Sequence, residues 1–281
     1  MPFMNDPRGR QSGFNAASRD QWGAFAGHRG HVSGLLGAAG GRLCVFGAGN
    51  GNDLDLPGLL TACGEVHLVD LDAEALAGGA GRQGVVAHPG LRLYGGLDVT
   101  GVLSAFAGWS PGTEVGPVDL EAVVLAPERL VAPGLPGPFD VVASTCLLSQ
   151  LIGNAFHSIG EGNPGFLPLV GAIRLGHLRL LTGLVRPGGE VVLVTDLVSS
   201  DTLPGLAAMP EQALPGLLPG LIRDRNFFHG VNPVAVEAVF RDDPMLNGRV
   251  IGREWVGPWR WNLHDRVYLV VALRCRIRSG R

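Results

Sequence analysis

Along the 281 residues, short continuous apolar runs alternate with stretches in which apolar residues recur at helical spacing. The runs at 43–46, 66–69, 92–95, 139–144 and 191–195 each stop at glycine, threonine or an acidic residue and read as buried strands. Between them, 54–60, 73–80, 102–106, 120–130 and 167–185 carry the helical period. Strands alternating with helices predict a parallel sheet covered on both faces. A further helix is predicted over 21–36, where Trp22, Phe25, Val32, Leu35 and Leu36 would pack on the strand at 43. Residues 1 to about 19 are polar and glycine-rich and read as flexible. Two Pro- and Gly-rich regions interrupt the alternation, at 110–138 and from 196 onward, and Asn232-Pro233 starts another helix within the second. The last strands, at 250–256, 258–261 and 267–276, follow one another directly, as in an antiparallel hairpin.

The first strand runs into Gly47, Gly49 and Gly51. Glycine there accepts positive φ and lets a ligand lie against bare backbone. The second strand ends in Asp70, nineteen positions after Gly51. Strand, glycine turn, helix, strand and acid together describe a site for a nucleoside with ribose hydroxyls. A dinucleotide fingerprint would place its third glycine at position 52, which is Asn52, and no P-loop lysine follows.

The pattern Gly47-x-Gly49-x-Gly51 with Asp70 resembles motif I of the class I S-adenosylmethionine-dependent methyltransferases. The stretch from Thr145 to Gln150 resembles motif IV, and the helix, Arg186-Pro187-Gly188-Gly189-Glu190 and strand after it resemble the unit that follows. The resemblance covers about 40–200 and the final strands. It implies an α/β fold: a doubly wound, seven-stranded, mostly parallel sheet with an antiparallel last strand, helices on both faces and a cap. The implied division is 1–40 as a flexible segment and helix over the cofactor site, and 41–200 as the cofactor-binding core. Residues 201–262 would be the cap on the substrate side, and 263–281 the terminal strand.

The implied cofactor is S-adenosylmethionine, leaving S-adenosylhomocysteine. Phe46, Gly47, Ala48, Gly49, Asn50, Gly51 and Asp53 would cradle it. Asp70 and Leu71 would meet the ribose, Asp98 and Val99 the adenine, and Thr145 and Cys146 would lie beside the transferable methyl group. Asp98 is equally placed to cap the short helix after it.

Methyl transfer is an in-line displacement in which positioning alone can supply roughly 7–11 kcal/mol, so no catalytic triad is required. Gln150 and Asn154 share a helical face and could orient an acceptor. His157, three residues on, is a neutral-pH base or a surface residue. Asp196, closing the fifth strand, would meet the acceptor or cap the next turn. Trp259, with Trp261, is a candidate wall of an acceptor pocket or core packing beneath a strand. His28 and Arg29, just upstream, lie over the nucleoside site or on a solvated helix face. His177 reads as structural, and His229 and His264 as lid candidates. Asp140, Asp196 and Asp201 do not reproduce a metal cluster.

Composition narrows the partners. At 46% hydrophobic the chain can bury one large core. A net charge of −3 leaves no basic surplus for a phosphate backbone, which excludes nucleic acid as the expected substrate. All 22 basic residues are Arg, so lysine chemistry is absent. Cys44, Cys63, Cys146 and Cys275 form no C-x-x-C pair and read as reduced, buried thiols. With no apolar signal core and no membrane span, the expectation is a cytoplasmic enzyme acting on a small molecule. The cap equally suits a homodimer interface. The rival readings are an NAD(P)-dependent oxidoreductase, against which Asn52 argues, and an inactive binding protein on the methyltransferase fold.

Overall fold

The computed structural model describes residues 6–38, 40–263 and 266–280. The apolar runs become β1 (Arg42–Phe46), β2 (Glu65–Asp70), β3 (Leu91–Gly95), β4 (Phe139–Thr145) and β5 (Val185–Ser199), all parallel. The C-terminal hairpin supplies β6 (Val250–Leu263) and β7 (Arg266–Ile277). β7 lies antiparallel between β5 and β6, giving one sheet in the order β3-β2-β1-β4-β5-β7-β6. This is the seven-stranded, mostly parallel sheet with a reversed last strand that the methyltransferase resemblance implied. A dinucleotide-binding sheet would run 3-2-1-4-5-6.

The helices are α1 (Pro7–Ser18), α2 (Ala26–Gly37), α3 (Leu56–Cys63), α4 (Ala73–Arg82), α5 (Leu103–Ala107) and α6 (Pro117–Ala126). After β4 come α7 (Leu148–Ile159) and α8 (Phe166–Leu184), and between β5 and β6 lie α9 (Leu218–Asp224), α10 (Pro233–Asp242) and α11 (Pro244–Arg249). Strand side chains alternate between two cores. Leu43, Val45, Val141, Ala143, Val192 and Val194 pack under α2, α3 and α4. Cys44, Phe46, Val142, Val191 and Leu193 pack under α5, α7 and α8. Burial on both faces is why these strands read as unbroken apolar runs.

The structure corrects four expectations. Residues 7–18 are a helix and not a flexible segment, started by Pro7 and capped by Asp6, whose Oδ1 accepts from the Gly9 amide at 2.8 Å. The helix expected from 21 begins at Ala26, because Arg29 folds back to donate to the Trp22 carbonyl at 3.1 Å and lies 3.5 Å over the Trp22 ring. The Pro-Gly-Gly stretch is a bulge inside β5: Val185 pairs with Phe139, Glu190 with Val141, and residues 186–189 stand out between them. β5 also runs past Asp196 to Ser199, because Val198 and Ser199 pair with β7 beyond a second bulge at Leu197. Asp196 is therefore inside the strand.

Candidate functional site

The glycine turn joins β1 to α3 at the carboxyl end of the sheet. Gly47, Gly49 and Gly51 have φ of 76°, 45° and 64°, a region L side chains rarely adopt. The turn is closed by the Gly47 amide donating to Val69 O at 2.9 Å and the Gly51 amide to Ala48 O at 2.7 Å. Asp70, at the end of β2, faces it. Its Oδ2 accepts from the Gly49 amide at 2.8 Å and its Oδ1 from the Asp72 amide at 2.9 Å. Burial raises the Asp70 pKa, against the lowering effect of those two amides.

The expected nucleoside residues divide by position. Gly47, Asp70, Leu71, Asp98 and Val99 line one cavity of about 20 Å³, together with Asn154, expected to orient the acceptor, Gln11 of α1 and the apolar Leu97, Leu103, Leu147 and Leu151. Asp98 also holds its own loop. Its Oδ1 accepts from the Thr100 hydroxyl at 2.6 Å and its Oδ2 from the Leu103 amide at 2.8 Å, the capping role weighed from sequence. Phe46 and Ala48 point into the two cores. Asn50 turns away from the cavity and donates to Asn15 O at 2.6 Å. The Thr145 hydroxyl donates to Gly47 O at 3.2 Å, tying β4 to the turn. Gln150 donates to Cys146 O at 3.0 Å and accepts from Gln11 of α1. His157 does not join them. It is exposed in the last turn of α7, its ring edge-on to Phe156, with its pKa lowered by partial burial and by Arg10.

Asp53, Cys146 and Asp196 belong to a second grouping that sequence reasoning did not assemble. At its centre is His28, 1% exposed. Trp259 Nε1 donates to His28 Nδ1 at 3.1 Å, so the proton of a neutral ring sits on Nε2, which lies 3.5 Å from Asp53 Oδ1 and 4.0 Å from Cys146 Sγ. Burial, then His31, pushes His28 down to about 3, so the ring is neutral across the physiological range. Burial, opposed by Arg29 and assisted by Asp196, raises Asp53 to about 7. Burial also raises Asp196 to about 6, opposed by Ser149, whose hydroxyl donates to its Oδ1 at 2.7 Å. Trp261 stacks on His28 at 4.6 Å, with Phe25 5.0 Å and Tyr268 5.2 Å from Trp261. Trp259 is thus a buried support for His28, the packing alternative weighed for it. Cys146 has a left-handed φ of 46° where β4 turns into α7, and burial holds its thiol well above its usual pKa.

One signal for His28 was available: it falls on the same face of α2 as Phe25 and Val32, so it had to be buried. Ser149, Tyr268 and Asn15 carried none. His177 bonds the Ser144 hydroxyl at 2.9 Å inside the core, and burial lowers its pKa to about 4. His229 stacks beside Phe156 at 6.0 Å, and His264 lies outside the described residues. Among the described residues no three His, Cys, Asp or Glu side chains converge as a metal site, and no helix is long and apolar enough to cross a membrane.

No family model and no curated protein matches the chain. Solved structures do. The chain is similar to magnesium protoporphyrin IX methyltransferase (ChlM) from Synechocystis PCC 6803 with bound SAH, at 15% identity and a TM-score of 0.49, over 98% of this chain and 100% of that one. It is also similar to the N-methyltransferase NodS from Bradyrhizobium japonicum WM9, at 10% identity and 0.46, over 93% and 99%. An O-methyltransferase family protein from Burkholderia thailandensis matches at 14% and 0.47, over 96% of this chain and 60% of its own.

Proposed function

We propose that the protein is an S-adenosylmethionine-dependent methyltransferase acting on a small-molecule acceptor. The observation that carries this reading is Asp70. Its carboxylate ends β2, faces the glycine turn and borders an apolar cavity, within a sheet whose seventh strand is reversed. That reversal disfavours the oxidoreductase alternative. The residue types fit an adenosyl group: a carboxylate for two ribose hydroxyls, and Leu71, Val99, Leu103 and Leu147 for a flat base. The bound sulfonium would supply an activated methyl group.

The chain's own residues would do the rest. Asp70 and the turn hold the nucleoside, and Thr145 braces β4 against that turn. The second grouping is the acceptor side: Trp261, Tyr268 and Phe25 exclude water, while Asp196 lies at the end of the parallel sheet with Ser149 fixing one oxygen. A carboxyl raised to about 6 can accept a proton from an acceptor near neutral pH. His28, neutral and held by Trp259, would face Asp53 at 3.5 Å on the same side.

A thermal melt with S-adenosylmethionine, S-adenosylhomocysteine or NAD⁺ tests the cofactor. Ligand at a hundred times its dissociation constant adds about 2.7 kcal/mol, and the adenosyl compounds alone should raise the midpoint. A shift with NAD⁺ alone would sink the proposal. Asp70→Ala should weaken S-adenosylhomocysteine binding by roughly 1–3 kcal/mol, measured calorimetrically. Undiminished affinity would move the ribose elsewhere. Asp196→Asn should lower kcat at least tenfold, about 1.4 kcal/mol, with little change in cofactor affinity. The opposite split would make it a cofactor residue.

A further inference from the structure

The C-terminal half of α1 is built into the nucleoside site. Asn15 Nδ2 stands 3.4 Å from Asp70 Oδ1 and 3.4 Å from Asp72 Oδ2, presenting a donor to the carboxylate a ribose would use. Its Oδ1 presses on the glycine turn so closely that a Cβ on Gly49 would meet it at 2.6 Å. The backbone face that should lie open to a ligand is therefore covered by this side chain. Gln11, one turn earlier on α1, lines the remaining cavity and bonds Gln150. That cavity, about 20 Å³, has room for a water molecule or two and none for a nucleoside.

What holds α1 down is almost wholly polar. Asn50 donates to Asn15 O at 2.6 Å, Asn52 to Ser18 O at 2.7 Å, and Arg82 to Arg19 O at 2.7 Å. The buried residues of α1 are Pro7 and Gln11, while Phe14 is 58% exposed. Such an element contributes little apolar burial, and its hydrogen bonds can be exchanged for water at small net cost.

We infer that α1 is an internal competitor for the nucleoside: Asn15 occupies the ribose position on Asp70, and adenosyl ligands bind once α1 has swung off the glycine turn. This rests on the nucleoside reading of Asp70. It is the opposite of a lid that closes on bound cofactor. Apparent affinity is then reduced by the fraction of molecules in which α1 is closed, and loosening α1 raises it. The ligand in turn releases the helix.

The test is S-adenosylhomocysteine and adenosine titrated calorimetrically into the wild type and Asn15→Ala, with hydrogen exchange followed over residues 7–18 of the wild type. Competition predicts roughly three- to tenfold tighter binding by Asn15→Ala and faster exchange of α1 when ligand is bound. The exchange experiment needs no variant, so it holds if Asn15→Ala folds poorly. Equal or weaker binding by Asn15→Ala, with α1 protected by ligand, would make the helix a lid and overturn the inference while the nucleoside site stands. Binding of neither compound to either protein would overturn the nucleoside reading, and the competitor with it.

Discussion

Gly79→Ala is expected to destabilise the protein by about 2–4 kcal/mol, whereas Gly78→Ala beside it should stabilise slightly. Both glycines lie in α4, where alanine gains about 1 kcal/mol of helix propensity. A Cβ on Gly78 meets nothing within 4 Å. On Gly79 it would stand 2.2 Å from the Asn50 carbonyl oxygen and 3.1 Å from the Gly51 nitrogen. Those are backbone atoms of the glycine turn, and they have little freedom to move. Arg82 Nη2 holds Asn50 O at 3.1 Å, Gln83 holds Gly51 O at 3.0 Å, and the Gly49 amide is fixed on Asp70. Either α4 lifts from the sheet or the turn shifts, and overpacking of this kind usually costs 1–3 kcal/mol or more. Urea unfolding of the two variants checks the contrast. Equal stabilities would mean that α4 relaxes freely and that the turn is not braced from below.

That brace was not legible in the sequence, although the turn was. Gly47, Gly49, Gly51 and Asp70 could be read because the chemistry is local: a short strand, a turn needing positive φ, and an acid at the next strand end. The parallel core was readable for the same reason, since runs buried on both faces carry an unbroken apolar signal. α1 was not. Its one-sided polar attachment leaves no apolar stripe, and only Asp6 before Pro7 signalled a helix start. The His28 grouping failed for a different reason. His28 and Trp259 are 231 positions apart, and their pairing depends on β7 inserting between β5 and β6. A pattern of periods and spacings does not encode that. The sequence also placed Trp259 and Asp196 among candidate acceptor residues without separating support from contact. The structure divides them: Trp259 anchors the ring of His28, which lies 3.5 Å from Asp53, while Asp196 is held by the Ser149 hydroxyl.

Asp53→Asn should stabilise the protein at pH 8 by about 2–4 kcal/mol and hardly at all at pH 4. Asp53 has an ordinary value of 3.8 and is raised to about 7, chiefly by burial. Between those values the folded chain holds a proton that the unfolded chain has released. Stability contributed by this group is therefore full below about pH 4 and is lost as pH rises to about 7, at up to roughly 1.4 kcal/mol per unit. Asparagine keeps the shape of the protonated acid and does not titrate, so the variant escapes that loss. His28 works with the opposite sign, its stability being lost in both proteins as pH falls from 6.5 toward about 3. Unfolding free energies at pH 4, 6 and 8 measure the curve directly. A pH-independent difference would mean that Asp53 is ionised throughout, its carboxylate facing the neutral His28 ring at 3.5 Å. The expected curve means instead that Asp53, raised to about 7, changes protonation close to neutrality. On the methyl-transfer reading proposed above, such a carboxyl would take a proton from the acceptor and return it to water, which bare positioning of a nucleophile does not provide.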